Sequence, residues 1–306
     1  MPATQKLKVI NRLERGNRRK PFPNVAAWLI FVIIVSWCLP LITWAKETTI
    51  RAAPMRPRVK ASAVYMMEMQ SGQVLLEKNA TQRLPPASLT KIMTALVALE
   101  KASPKQIVSV DSRALVKRPP RLKLKAGEEF LLHDLLAAML VTSANDACQA
   151  VALQIGGEMP SFVDMMNARA QTLELSGTHF ENPCGFDAPD HYSTAVDLAK
   201  LTEEAMSTPT FAMMVRTLER DIASLNGQHQ VHLSSTNQLL LDSDITGVKT
   251  GFTAKAGRCL IASMYKNGHH LLLVGLNVKN RWKQAEQLFQ YGQAMLGGGS
   301  TNSIGK

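Results

Sequence analysis

Cysteine is scarce in this chain, with four residues in 306. Cys38 lies inside a long apolar run, which leaves Cys148, Cys184 and Cys259 for the remainder. Three thiols cannot all pair, so at least one stays free, and no disulfide framework is expected to carry the fold. Metal-ligand spacing is missing too. The seven histidines never take an arrangement such as His-Glu-x-x-His, and no Cys/His grouping resembles a zinc site. Acidic charge is in deficit, 24 Asp and Glu against 35 Lys and Arg, for a net +11. That balance suggests a nucleic-acid partner until the positions are read. Residues 1–24 hold Lys6, Lys8, Arg12, Arg15, Arg18, Arg19 and Lys20 against Glu14 alone, a net +6 that leaves only +5 for the rest. A nucleic-acid enzyme keeps its basic surface on the folded domain. Here more than half of it precedes an apolar segment, so nucleic-acid binding is the weakest reading.

That segment runs from Val25 to Ala45 (VAAWLIFVIIVSWCLPLITWA) without a charge. As a helix it would rise about 31 Å, enough to cross a hydrocarbon core. The basic run before it fits the positive-inside rule and places everything after Lys46 outside the cytoplasm. Thr43-Trp44-Ala45 offers a cleavage site after Ala45, which would release a secreted protein. The apolar run and its basic flank are both longer than a signal peptide needs, which favours a retained single-pass anchor. Overall, 46% hydrophobic and 19% charged residues are too apolar for disorder and too polar for a polytopic membrane protein.

Beyond the anchor, residues 46–60 read as a proline-containing linker. Ala61–Met69 and Gln73–Glu77, joined by Gln70-Ser71-Gly72, read as a hairpin. Pro85-Pro86-Ala87 then ends the extended chain, and a helix pattern starts at Ser88 with Leu89, Ile92, Met93 and Leu96 on one face. Further helices are expected over Phe130–Leu140, Asp146–Gln154, Pro160–Glu174 and Ser193–Met206. Gly257–Lys266 and His269–Val278, joined by Asn267-Gly268, form a strong hairpin signal. A closing helix spans Arg281–Leu296, and 297–306 reads as a flexible tail. Strands, then helices, then strands and a helix predict one α+β domain over 61–296, its terminal strands sharing one antiparallel sheet.

Three short patterns bear chemistry. Ser88-Leu89-Thr90-Lys91 sets a hydroxyl and an amine three residues apart on one helical face, where a desolvated lysine can take the serine's proton. The spacing alone is cheap, since Ser263…Lys266 and Ser303…Lys306 share it; only Ser88 opens an amphipathic helix. The plain alternative for Ser88 is a helix cap. Ser143-Ala144-Asn145 could relay a proton and hold a substrate amide, or merely cap the helix before Asp146. Ser-x-Asn recurs at 224, 235 and 300. Lys249-Thr250-Gly251 occurs once, on a strand-like stretch, where a lysine and a hydroxyl could grip a carboxylate and glycine would admit a substrate backbone. Its plain alternative is an edge-strand lysine beside a bulge.

The three patterns in this order, within PPASLTKIMTALVALE, VTSANDACQAVA, THFENPCGF, HYSTAVDLAKL and ITGVKTGFTAKAGRCLIAS, resemble the penicillin-binding proteins of the D-alanyl-D-alanine carboxypeptidase type, serine peptidase family S11. The resemblance covers roughly 61–296. It implies the β-lactamase/transpeptidase-like α+β fold, an antiparallel sheet flanked by helices with a helical subdomain. It implies Ser88 as acylated nucleophile, Lys91 as general base, Ser143 and Asn145 on a second wall, and Lys249, Thr250 and Gly251 on a third. The backbone N–H groups of Ser88 and Phe252 would form the oxyanion hole, and Arg281 would help hold the substrate's terminal carboxylate. Cys148 matches a cysteine near the active site of some members, with core packing as its expected role. No metal or organic cofactor is implied.

The activity implied is removal of the terminal D-alanine from peptidoglycan stem pentapeptides, with β-lactams acylating Ser88 as substrate mimics. A D,D-endopeptidase that cuts cross-links is the nearest rival, and a non-catalytic wall-peptide or β-lactam sensor the rival from another class. A β-lactamase fits less well: class A enzymes carry Ser-Asp-Asn and a deacylating glutamate, and this chain has Ser-Ala-Asn. Family members often add a second β-rich domain and a C-terminal amphipathic helix. Neither follows residue 296, so the N-terminal segment is the expected membrane attachment.

Overall fold

The computed structural model describes residues 54–297. The expected basic segment 1–24, the apolar segment 25–45, most of the linker 46–60 and the tail after residue 297 lie outside the described residues. Among the described residues no helix is long and apolar enough to cross a membrane.

The chain opens with the antiparallel pair β1 (Ala63–Glu68) and β2 (Val74–Lys78). It then turns through a 3₁₀ segment, Ala87–Thr90, into helix α1 (Lys91–Lys101). Every residue of α1 from Lys91 to Ala98 is buried, so this helix runs through the core instead of lying on it. A short pair, β3 (Ile107–Ser109) and β4 (Glu129–Leu131), leads into α2 (Leu132–Val141), α3 (Asn145–Gly156) and α4 (Met159–Thr172). Helices α5 (Ala195–Met206) and α6 (Pro209–Val215) follow, then a second small pair, β5 (Glu219–Ala223) and β6 (Gln230–Ser234). Strands β7 (Ile245–Thr253), β8 (Gly257–Lys266) and β9 (His269–Leu276) and helix α7 (Arg281–Gly297) complete the domain.

The main sheet has the order β2-β1-β9-β8-β7, all neighbours antiparallel, so strands from both ends of the chain share one sheet as expected. Side chains alternate strictly between its faces. Leu272, Val274, Cys259 and Ile261 join the core shared with α1 to α5, while Leu271, Leu273, Leu260 and Ala262 pack under α7 with Leu288 and Phe289. A sheet covered on both sides explains why β8 and β9 read as near-continuous apolar runs. Among the described residues strand β7 pairs only with β8 and leaves its other edge beside the 3₁₀ turn of Ser88.

Three expectations shift. The α-helix begins at Lys91 instead of Ser88, because the serine sits in the tighter 3₁₀ turn. Phe130 belongs to β4 and not to the following helix, since it pairs with Val108 across a long connection that carries no local turn signal. The small pair β5–β6 and helix α6 had no reading at all; these are short elements held by tertiary contacts.

Candidate active site

The first wall is the turn that carries Ser88. Two prolines precede it and Ala87 takes φ +50°, a left-handed conformation unusual for a residue with a Cβ. Two glycines press against this turn from outside. A Cβ on Gly185 would strike the Ala87 carbonyl, and one on Gly251 would lie 3.1 Å from the Pro86 oxygen and 3.2 Å from the Ser88 nitrogen. The side chains of residues i and i+3 line up in a 3₁₀ turn, so the shift in helix start keeps Ser88 and Lys91 together. Lys91 Nζ lies 3.0 Å from Ser88 Oγ.

Lys91 is wholly buried, and its ammonium nitrogen has three acceptors: Ser88 Oγ, Asn145 Oδ1 at 3.0 Å and the Cys184 carbonyl at 2.8 Å. Burial first, and the cation of Lys249 second, hold its pKa well below the usual lysine range. As a neutral amine it keeps two N–H bonds, to Asn145 and Cys184, and its lone pair faces the hydroxyl of Ser88. That geometry can draw the proton from Ser88 and so make it a nucleophile.

The second wall comes from the turn between α2 and α3. Ser143 sits there at φ +64°, nearly buried, and Asn145 opens α3. Asn145 Nδ2 donates to the carbonyls of Arg118 and Pro119, both at 3.1 Å, while its Oδ1 accepts from Lys91 and keeps a second lone pair for a substrate N–H. Its side chain therefore fixes the lysine from one side and a surface strap from the other.

On β7, Lys249, Thr250 and Gly251 are all buried, while Phe252 is 65% exposed. Lys249 Nζ donates to the Thr250 carbonyl at 2.9 Å, and the hydroxyls of Thr250 and Thr236 lie 2.6 Å apart. Burial, then the charge of Arg281, pushes the Lys249 pKa down to about 7. Arg281, the first residue of α7, donates from Nη1 to the carbonyls of Gly251 and Cys259, each at 3.2 Å, and stacks on Trp282. The structure thus brings Ser88, Lys91 and Asn145 into one bonded cluster, with the Gly251 backbone against the Ser88 turn and Arg281 behind β7.

Several participants had no sequence reading. Asn182 Oδ1 accepts the backbone N–H groups of Cys184, Gly185 and Phe186, which shapes the loop that offers the Cys184 carbonyl to Lys91. His191 is buried; its Nδ1 accepts from Glu181 N, so Nε2 carries the proton toward Thr90 Oγ1, which in turn donates to the Ala87 carbonyl. Burial pushes the His191 pKa down to about 4, which keeps this support neutral. Both residues lie in the THFENPCGF and HYSTAVDLAKL stretches, whose pattern was visible without their roles.

Cys148 corrects an expectation. It is buried on α3, but it forms a disulfide with Cys184, Cα atoms 6.0 Å apart, and so ties the helix of Asn145 to the loop of the Cys184 carbonyl. No cysteine spacing announces that pairing, because the two cysteines, 36 positions apart, are brought together only by the fold. Among the described residues Cys259 is the free thiol; burial raises its pKa to about 11, so it stays protonated at neutral pH.

Comparison with known proteins decides the family. The family model for D-alanyl-D-alanine carboxypeptidases of peptidase family S11 matches residues 48–280. The chain belongs to peptidase family S11. The S11 chain is 38% identical over 258 residues to D-alanyl-D-alanine carboxypeptidase DacD of Salmonella typhimurium, covering 79% of this chain and 65% of that one. It is 34% identical to DacF of Bacillus subtilis over 221 residues, covering 70% and 57%. The chain therefore spans 65% or less of the length of these relatives. Among solved structures, the Streptomyces K15 DD-transpeptidase superposes with a TM-score of 0.74 at 28% identity, covering 79% of this chain and all of that one. A penicillin-binding protein homolog from Mycobacterium tuberculosis gives 0.75 at 28% identity, covering 83% and 97%. The S11 chain has the α+β transpeptidase-like fold.

Proposed function

We propose that this chain is a serine D,D-carboxypeptidase that removes the terminal D-alanine from peptidoglycan stem peptides. The observation that carries the reading is the wholly buried Lys91, its pKa pushed well below the usual lysine range by burial, set 3.0 Å from Ser88 Oγ. Ser88 Oγ attacks the carbonyl of the D-Ala-D-Ala bond while Lys91 takes its proton. The developing oxyanion is met by the backbone N–H groups of Ser88 and Phe252. Ser143 passes the proton to the leaving amine, D-alanine departs, and water hydrolyses the ester on Ser88. Asn145 holds the acyl-side amide, and Lys249, Thr250 and Arg281 hold the terminal carboxylate. The free edge of β7 suits an extended peptide, and Gly251 allows its backbone to approach closely. β-Lactams act as mimics that acylate Ser88.

Incubation with benzylpenicillin should place one covalent adduct on the tryptic peptide that contains Ser88, as read by mass spectrometry. Diacetyl-Lys-D-Ala-D-Ala should release free D-alanine. An adduct on any other residue, or a folded protein that releases none, would end this reading.

The apolar segment 25–45 supports a further part of the proposal: single-pass anchoring with the S11 domain outside the cytoplasm. The Cys148–Cys184 disulfide favours the same side, because such bonds persist in oxidising compartments. Membranes washed with alkaline carbonate should retain the protein, and its N-terminal peptide should precede residue 25. Release into the wash with a mature terminus at Lys46 would show cleavage after Ala45.

A further inference from the structure

Between Val116 and Ala126 the chain carries Lys117, Arg118, Arg121, Lys123 and Lys125 and no acidic residue. All five cations are exposed, and none forms an ion pair among the described residues. This strap is built into the active site. Asn145 holds its backbone through the carbonyls of Arg118 and Pro119 and, from its own N–H, through that of Pro120 at 2.8 Å. The next residue, buried Asp146, accepts the N–H groups of Leu122 at 3.0 Å and Leu124 at 3.2 Å, while those two leucines are sunk into the core. Burial of 122 and 124 leaves 121, 123 and 125 facing outward. Arg118 is held further: its guanidinium carbon lies 4.9 Å from the ring centroid of Phe186, two residues from the Cys184 carbonyl that anchors Lys91. An unpaired guanidinium with four further cations therefore stands on the wall shared by Asn145 and Cys184.

Two cationic walls need two anions. In the carboxypeptidase reading, on which this inference rests, the terminal carboxylate goes to Lys249 on β7 and to Arg281 at the start of α7. Only one residue lies beyond the scissile bond, so whatever meets the strap belongs to the acyl side of the substrate. We infer that the 117–125 strap is an acyl-side subsite for an acidic peptide, with Arg118 as the specificity-determining residue that pairs with a carboxylate upstream of D-Ala-D-Ala. A planar fork stacked on an aromatic ring suits a carboxylate better than a mobile lysine does.

Matched peptides with Glu or Gln at the third or the fourth residue from the C-terminus, each ending in D-Ala-D-Ala, test this. Wild-type kcat/KM should favour the Glu peptide about tenfold in at least one pair, and the preference should shrink as salt rises. In Arg118→Gln combined with Arg121→Gln, Lys123→Gln and Lys125→Gln the ratio should fall to within twofold of one, with Arg118→Lys in between. Equal wild-type rates for Glu and Gln at both positions would overturn the inference and leave the carboxypeptidase reading standing, as would a strap variant that slows both peptides alike. If no peptide releases D-alanine, the carboxypeptidase reading is the one that fails. Calorimetric binding of the same peptides to Ser88→Ala protein then decides the subsite: tighter binding of Glu over Gln that depends on the strap supports it, and equal binding overturns it.

Discussion

Replacing Lys91 with Met should slow acylation of Ser88 by about a thousandfold, the usual weight of a positioned general base. Methionine keeps the volume of the buried side chain and removes only the amine, so the effect isolates the lone pair that faces Ser88 Oγ. It also leaves Asn145 Oδ1 and the Cys184 carbonyl without their donor, at about 1–3 kcal/mol for each group that finds no water. Stopped-flow acylation by a fluorescent penicillin measures the rate, and a thermal midpoint checks that the variant is folded. A rate within tenfold of wild type would remove Lys91 from the role of base.

The pH profile carries the same argument. Protonated Lys91 has no lone pair, so acylation falls as pH drops through its lowered pKa; an unburied lysine would impose that loss at any pH below about 10.4. On the other side, Lys249 must be charged to hold a carboxylate. Its pKa of about 7 in the free enzyme means that kcat/KM for a carboxylate-ended substrate falls as pH rises through that value. The two lysines are coupled, because the charge of Lys249 is, after burial, the second cause that lowers the pKa of Lys91. In Lys91→Met the acid limb should vanish while the alkaline limb persists. An acid limb that survives would assign it to another group.

Loss of the Cys148–Cys184 bond should lower the thermal midpoint by about 10 °C. The two cysteines close a loop with a separation of 36 residues, worth about 4 kcal/mol in the chain-entropy account. At roughly 2–4 °C per kcal/mol for a domain of this size, that converts to the stated shift. The bond also joins the start of α3 to the loop that supplies the Cys184 carbonyl, so acylation should slow several-fold as Lys91 loses a fixed acceptor. Scanning calorimetry of the Cys148→Ala, Cys184→Ala double variant, or of wild type under reductant, gives the first number. A midpoint that moves by less than 2 °C would show that the bridge contributes little beyond packing.

Much of this molecule is legible one residue at a time. The β8–β9 hairpin was readable because Asn267-Gly268 sets a tight turn between two apolar runs, and both strand starts fall where that signal puts them. The helical stripe at Leu89, Ile92, Met93 and Leu96 is buried as the spacing requires. The sharing of one sheet by strands from both ends followed from the order of elements alone. Phe130 was misplaced for the opposite reason: β4 is three residues long and exists only by pairing with β3 across a long connection.

The sequence by itself determined the family, through three motifs whose spacing and order are local properties of the chain, and the broad α+β plan, through periodicity and turn chemistry. Tertiary structure alone decided the electrostatics and the connections of the site. A lysine reads as a cation in any sequence; Lys91 and Lys249 have lowered pKa values because the fold strips both of water and sets them near one another. The pairing of Cys148 with Cys184, the hold of Asn145 on the cationic strap and the glycines pressed against Ala87 are likewise long-range contacts. Residues distant along the chain meet only when burial of the core has already brought their elements together.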